Sequence, residues 1–231
     1  MSDSPDISLV IPAYNEESRI ESVVRNICDQ FPKQEIIVVC NGCIDNTYNI
    51  VNALRIRYPQ VTILNFPQKL GKGGAIIKGF KAANGESIGF ADADDSVDPG
   101  DIRDMFTALN DADGVIASRR MSESIITVKQ PILRRFSSRV FNIIVRALFG
   151  LNFRDTQCGV KVFQKEVIKD VLDSLSATGF EFDVELLWRL EKKGCRIVEF
   201  PVVWKHVEGS TFHLTNAPEM LLSLLKIRLS K

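Results

Sequence analysis

A chain of 231 residues, 45% hydrophobic and 25% charged, has enough apolar material to fill one core, which excludes a disordered chain. Lys+Arg and Asp+Glu number 29 each, so there is no basic excess to favour nucleic acid, and no nucleic-acid partner is expected. Five cysteines, no apolar run near 18 residues and a polar, acidic start (Met1-Ser-Asp-Ser-Pro-Asp6) predict a reduced, cytoplasmic protein without a spanning helix or secretory leader.

Ile7-Ser-Leu-Val-Ile11, ended by Pro12, reads as a buried first strand, and Asn15 as the cap of a helix from Glu16 with Ile20, Val23, Val24 and Ile27 at helical spacing. Glu35–Cys40 is a second strand, Asp45–Arg57 a helix, Val61–Leu64 a third strand and Gly71–Ala83 a helix after a Gly-rich lead-in. Ser87–Ala91 is a fourth strand, Pro99–Leu109 a helix capped by Asp98, and Gly114–Ser118 a fifth strand. This alternation with short links predicts an α/β fold, a mostly parallel central sheet with helices on both faces. Beyond residue 120 the pattern changes. Pro131–Phe149 is a long apolar-basic helix, Glu181–Lys193 a helix ended by Gly194, Arg196–Trp204 an edge strand broken by Pro201, and Pro218–Leu229 a final amphipathic helix. The chain is expected to be one domain, 1–231.

The zero net charge hides a polarity. Glu86–Asp113 carries nine acids and one base, and Gly114–Arg154 eight bases and one acid. The fourth strand runs out into Asp92-Ala93-Asp94-Asp95, where open α/β sheets bind ligands. Crowded carboxylates repel one another unless a cation lies between them, which points to a hard divalent metal, Mg²⁺ or Mn²⁺, at Asp92 and Asp94. Gly71-Lys72-Gly73-Gly74 opens a helix as a phosphate-binding turn does, but no Ser or Thr follows Lys72, so it is not a Walker A loop. Cys40-Asn-Gly-Cys43 sits where a redox pair would sit, yet Asn41-Gly42 is also a plain turn signal, and both cysteines are expected to be dispensable. The segment 131–149 has four arginines and no acid. It reads either as a core helix with snorkelling arginines or as a helix lying on a membrane surface.

Taken in order, Val10-Ile-Pro12-Ala-Tyr14-Asn15-Glu16, Asn41-Gly-Cys-Ile-Asp45-Asn-Thr47, Gly71-Lys72-Gly73-Gly74-Ala75 and Asp92-Ala-Asp94 resemble glycosyltransferase family 2, with its GT-A nucleotide-sugar-binding fold. Ala117-Ser-Arg119, Ser138-Arg139-Val-Phe141-Asn142, Asp155-Thr-Gln-Cys-Gly159, Gly179-Phe-Glu-Phe-Asp183-Val-Glu185 and Glu199-Phe-Pro201 look like the dolichyl-phosphate sugar synthases, closer to the glucosyl than the mannosyl type. The resemblance implies an inverting hexosyltransferase. It would move sugar from a nucleoside-diphosphate sugar (UDP-glucose or GDP-mannose) to a polyprenyl or dolichyl phosphate at the cytoplasmic face of a membrane, as a peripheral protein.

By the same resemblance the nucleotide-sugar part is about 1–120 and the acceptor part about 121–231. Pro12, Tyr14, Glu16, Asn41, Lys72 and Asp92 would bind the donor, Asp92 and Asp94 the metal, and Asp94, Arg119, Arg134 and Ser138 would serve catalysis, the last three facing the acceptor phosphate. The chain departs from the family at Cys40 and Asn41, where two acids are usual, and at Ser96, where many mannosyl members have Gln. A phosphate acceptor is already anionic near neutrality and needs no general base. A family 2 enzyme acting on a sugar hydroxyl would need one, for which Asp155, Glu181, Asp183 and Glu185 are available. A non-catalytic nucleotide-sugar-binding or membrane-adaptor protein is the reading from another class, against which the intact Asp92-Ala-Asp94 speaks.

Overall fold

The computed structural model describes residues 6–207 and 217–229, the side chains of 132–136 and 217–219 excepted. In chain order the elements are β1 (Ile7–Ala13), α1 (Ile20–Gln30), β2 (Glu35–Asn41), α2 (Thr47–Arg57), β3 (Val61–Phe66), α3 (Gly71–Ala82), β4 (Ser87–Ala91), α4 (Pro99–Thr107) and β5 (Gly114–Ser118). There follow β6 (Ile125–Val128), α5 (Ile132–Phe149), β7 (Val160–Gln164), α6 (Lys165–Leu172), α7 (Phe182–Lys192), β8 (Ile197–Pro201), β9 (Val203–Lys205) and α8 (Ala217–Leu229).

Seven strands form one sheet in the order β3-β2-β1-β4-β7-β5-β8, and β6 and β9 pair separately. All neighbours in the large sheet run parallel except β7, which is antiparallel to both β4 and β5. Alternation along each strand feeds two cores. Leu9, Ile11, Ile36 and Val38 pack with α1, α2 and α4 on one face. Val10, Ile37 and Val39 pack with α3 and the helices α5–α8 on the other. Both faces are covered, as a parallel sheet requires.

Several boundaries differ from expectation, each for a local reason. Pro12 lies inside β1, in register with Val39 of β2, because a proline gives up a donor yet keeps its carbonyl. Asn15 does not cap α1. It adopts a left-handed φ of 55°, and its side-chain oxygen accepts from the Ile44 amide at 2.9 Å, so a turn precedes the regular helix at Ile20. The strand β7 escapes a reading by apolar runs because Lys161 stands in its middle, and β6 escapes because it is short and mostly exposed. The expected strand 196–204 divides at Pro201 into β8, which is the sheet edge, and β9. Asp98 caps α4 as expected, accepting from Gly100 N at 2.8 Å with Pro99 in the first turn.

Candidate active site

The strand order reverses between β1 and β4, and crevices at such switch points, beyond the carboxyl ends of the strands, take ligands. The β1–β4 ladder stops at Val10 and Phe90, so the strands part where Pro12, Tyr14 and Asp92 emerge. A cavity of about 290 Å³ opens there, and its wall includes Pro12, Tyr14, Glu16, Asn41, Lys72 and Asp92, the six expected donor residues. Not all of them are free to bind. The Asn41 amide is committed to the loop before α3, donating to Gly71 O at 3.1 Å and accepting from Leu70 N at 2.5 Å. Glu16 is ion-paired with Arg19, and burial raises its pKa against the pull of that guanidinium. Tyr14 offers its ring to Lys69, whose ammonium lies 3.9 Å from the ring centroid.

At the inner end of this cavity Asp92 and Asp94 share the wall of a second, central cavity of about 180 Å³. Asp94 accepts from Ser96 N at 3.0 Å, and Asp95 adopts a left-handed φ of 55° as the chain turns away. Asp92 pairs with Lys72 at 2.7 Å. Burial and the neighbouring Asp94 push the Asp92 carboxyl upward, Lys72 pulling the other way. Lys72 lies 3.6 Å from Asp183, which is itself 2.5 Å from Lys161, a lysine with no exposed surface that also donates to Cys158 O at 2.9 Å. Burial lowers the pKa of Lys72, but Asp183 and Asp92 outweigh it and hold it above its ordinary value. Two lysines and two aspartates thus run as one chain of charges from the core into the site.

Gly159 completes the carboxylate's seat. A Cβ there would lie 2.1 Å from Asp92 Oδ2, so only glycine lets the carboxylate stand where it does. Gly71 has φ +80°, and a Cβ on it would lie 2.1 Å from Thr178 O, which holds the α3 N-terminus against the loop before α7.

Among the described residues no three His, Cys, Asp or Glu side chains are grouped to hold a metal. Two carboxylates remain, Asp92 and Asp94, at the end of β4 and lining the switch-point cavity. That set fits Mg²⁺ or Mn²⁺, which commonly use one or two carboxylates and complete their coordination with substrate phosphate and water.

On the far wall of the central cavity stand Arg119 and Ser138. Arg119 leaves the end of β5 and grips Asp155 with two contacts, at 2.6 and 2.8 Å, while its backbone amide donates to the same carboxylate at 3.1 Å. Burial raises the Asp155 pKa, but the Arg119 charge and hydrogen bonds dominate and hold it well below the usual carboxylate range. Ser138 Oγ accepts from Arg120 at 2.9 Å, a residue that motif reading passed over beside Arg119. Arg134 lies on α5, but its side chain is outside the described residues. Asn142 ties α5 to the 153–156 loop, donating to Arg154 O at 3.0 Å and accepting from Thr156 at 3.2 Å.

Three of the four carboxylates available as a general base are ion-paired. Asp155 is held by Arg119, Asp183 by Lys161, and the fully buried Glu185 by Arg189 and the Ser176 and Ala177 amides. Glu181 accepts from Gly179 N at 3.2 Å.

The Cys40-x-x-Cys43 pair sits at the end of β2. The two thiols influence one another: Cys43, with burial, raises Cys40, and Cys40 lowers Cys43 to about 6. Cys43 Sγ also contacts Ala13 O at 3.4 Å. Neither thiol lines the donor or the central cavity. A Cys40→Ala, Cys43→Ser variant is expected to keep most of its turnover. A folded variant without activity would give the pair a chemical role.

A switch-point cavity, an Asp-x-Asp at the end of β4 and one antiparallel strand in a parallel sheet make this a GT-A fold. Glucosyl-3-phosphoglycerate synthase of Mycobacterium tuberculosis, solved with Mn²⁺, UDP-glucose and phosphoglyceric acid, superposes with a TM-score of 0.69 at 21% identity, over 98% of this chain and 79% of that one. The profile of glycosyl transferase family 2 matches residues 8–172, and the chain belongs to that family. It is a glycosyltransferase. The dolichyl-phosphate β-glucosyltransferase of Homo sapiens is 31% identical, covering 90% of this chain and 70% of its own length. AglD, a glycosyltransferase of Haloferax volcanii, is 30% identical over 87% of this chain, which spans only 33% of AglD.

Proposed function

We propose that the protein transfers a hexose, with inversion, from a nucleoside-diphosphate sugar to a polyprenyl or dolichyl phosphate. The observation that carries this reading is the state of the carboxylates around the central cavity. Among the described residues lining it, Asp92 and Asp183 are ion-paired and Asp94 would hold the metal, so none of these three carboxylates is left as a base, while the opposite wall offers Arg119 and Ser138. An acceptor that arrives already ionised fits this arrangement, whereas a sugar hydroxyl does not. The likeness to dolichyl-phosphate β-glucosyltransferases favours UDP-glucose over GDP-mannose as donor.

In this reading Tyr14 and Pro12 border the nucleotide, and Lys72 lies beside the diphosphate. Asp92 and Asp94 would hold Mg²⁺ or Mn²⁺, and the M. tuberculosis synthase was solved with Mn²⁺ and UDP-glucose together. Such an ion supplies charge neutralisation for the leaving diphosphate. Arg119, steadied by Asp155, and Ser138 orient the acceptor phosphate toward the anomeric carbon.

Among the described residues no helix is long and apolar enough to cross a membrane. Instead α5 exposes Val140 and Ile143, and α8, packed beside it, exposes Leu222, Leu225 and Leu229. Arg139, Arg146 and Lys226 lie on the same two helices, a composition suited to the cytoplasmic face of an anionic bilayer. The test is to present dolichyl phosphate in anionic vesicles with UDP-glucose, GDP-mannose and other nucleotide sugars, and to weigh the lipid product. A glucosylated lipid phosphate is expected, with transfer falling as salt rises. Transfer only to a soluble sugar hydroxyl would replace this reading with its rival.

A further inference from the structure

A third cavity, of about 400 Å³, lies beyond the central one, between the end of β5, β6 and α5. The two share Arg119, Gln130, Ser138 and Trp204 as a common wall, so donor cavity, central cavity and this one stand in a row. Among the described residues, four basic side chains and no acid line the third: Arg119, Arg120, Lys129 and Arg139.

Their charges are unequally balanced. Arg119 is neutralised by Asp155. Arg120, Lys129 and Arg139 have no carboxylate within ion-pair distance among the described residues. Arg120 is fixed in place by two neutral acceptors, Arg154 O and Ser138 Oγ, both at 2.9 Å. Burial first, and then the like charges of Arg119 and Arg139, press its pKa below the ordinary value, with Asp155 opposing them. Three cations left facing one cavity repel one another, and a multivalent anion removes that repulsion. A phosphate monoester, carrying about −1.5 to −2 charges and three acceptor oxygens, matches three such donors.

We propose that this cavity is a phosphate-monoester site, formed by Arg120, Lys129 and Arg139, which holds the acceptor's phosphate before it passes Ser138 into the central cavity. The assignment rests on the lipid-phosphate reading for its biological ligand, but the chemistry of the cavity stands apart from it. Arg120 is the preset member, and Lys129 and Arg139, being exposed, close on the anion from the rim.

The full chain is titrated with inorganic phosphate and with a short, water-soluble prenyl monophosphate, and separately sedimented with phosphatidylserine vesicles, a diester surface. Lys129→Ala and Arg139→Ala change exposed side chains and are expected to leave the fold intact, which circular dichroism checks. Each should weaken binding of both soluble phosphates by roughly tenfold, raise KM for the lipid acceptor, and leave UDP-glucose binding unchanged. Inorganic phosphate should inhibit transfer competitively against the lipid phosphate and not against the nucleotide sugar. If lipid transfer is absent but the prenyl phosphate binds and the variants lose it, the functional reading fails and this site stands. Soluble phosphates bound equally by wild type and variants, or variants that lose only vesicle binding, would overturn it.

Discussion

Asp183→Ala should lower stability by about 3–5 kcal/mol, the cost of stripping one partner from a buried ion pair. Lys161 has no exposed surface and its carboxylate partner is Asp183, so the substitution leaves a positive charge inside the sheet facing Cys158 O and the Phe90 ring, with no carboxylate to balance it among its described partners. Lys72 loses its second carboxylate in the same step and keeps Asp92. In urea, with a slope of about 1–3 kcal/mol per molar, the midpoint should fall by more than about 1 M. A double Lys161→Met, Asp183→Leu variant removes both charges and should recover much of the loss, since paired deletion leaves nothing unpaired. An unchanged midpoint for Asp183→Ala would show that this buried pair does not hold the sheet together.

Asp92→Asn should cut transfer by about 10²-fold or more while the protein still folds. A divalent ion on a leaving diphosphate supplies several kcal/mol of charge stabilisation, and each 1.36 kcal/mol is tenfold in rate. Chelation by EDTA should have the same effect on the wild type. Gly159→Ala provides a control that alters no charge. The added methyl would meet the Asp92 carboxylate at 2.1 Å and displace it, so activity should fall although both aspartates remain. Transfer rates measured with and without added Mn²⁺ decide the matter. Wild-type rates in EDTA, or in Asp92→Asn, would remove the metal from these carboxylates.

The first half of the fold was legible because its strands are uniform apolar runs ended by turn residues. The first five strands were each found within a residue or two; β1, β2, β4 and β5 are buried by helices on both faces, and β3, at the sheet edge, is half-buried. The second half resisted for a reason that belongs to the site. A lysine in the centre of β7 breaks the apolar run, and only the remote Asp183 explains why it is tolerated there. The Asp92-Ala-Asp94 pair was readable from its place after a strand, and the structure puts it at the switch point. What no linear reading gives is which charges are already spent. The sequence leaves open whether Arg119 pairs with an acid, and it is found gripping Asp155, 36 positions away, whereas Arg120, its neighbour, has no carboxylate within ion-pair distance among the described residues. Of the acids that looked available as a base, Asp155 and Asp183 are engaged by cations 36 and 22 positions away.

The position of β7 also governs the order in which the molecule can be assembled. The strands β4 and β5 follow each other along the chain but never touch, because β7, which begins at Val160, is laid between them. As the polypeptide leaves the ribosome, β1 to β4 can pair at once, yet β5 has no neighbour in the sheet until β7 has emerged. Until then β4 presents an open edge, the kind of surface on which other chains add strands. Asp92, at the end of that edge strand, receives its backbone contact with Gly159 O only when the gap is filled. Nascent chains therefore hold an unfinished catalytic centre and an unguarded edge for the same interval, and closing the long loop to β7 ends both together.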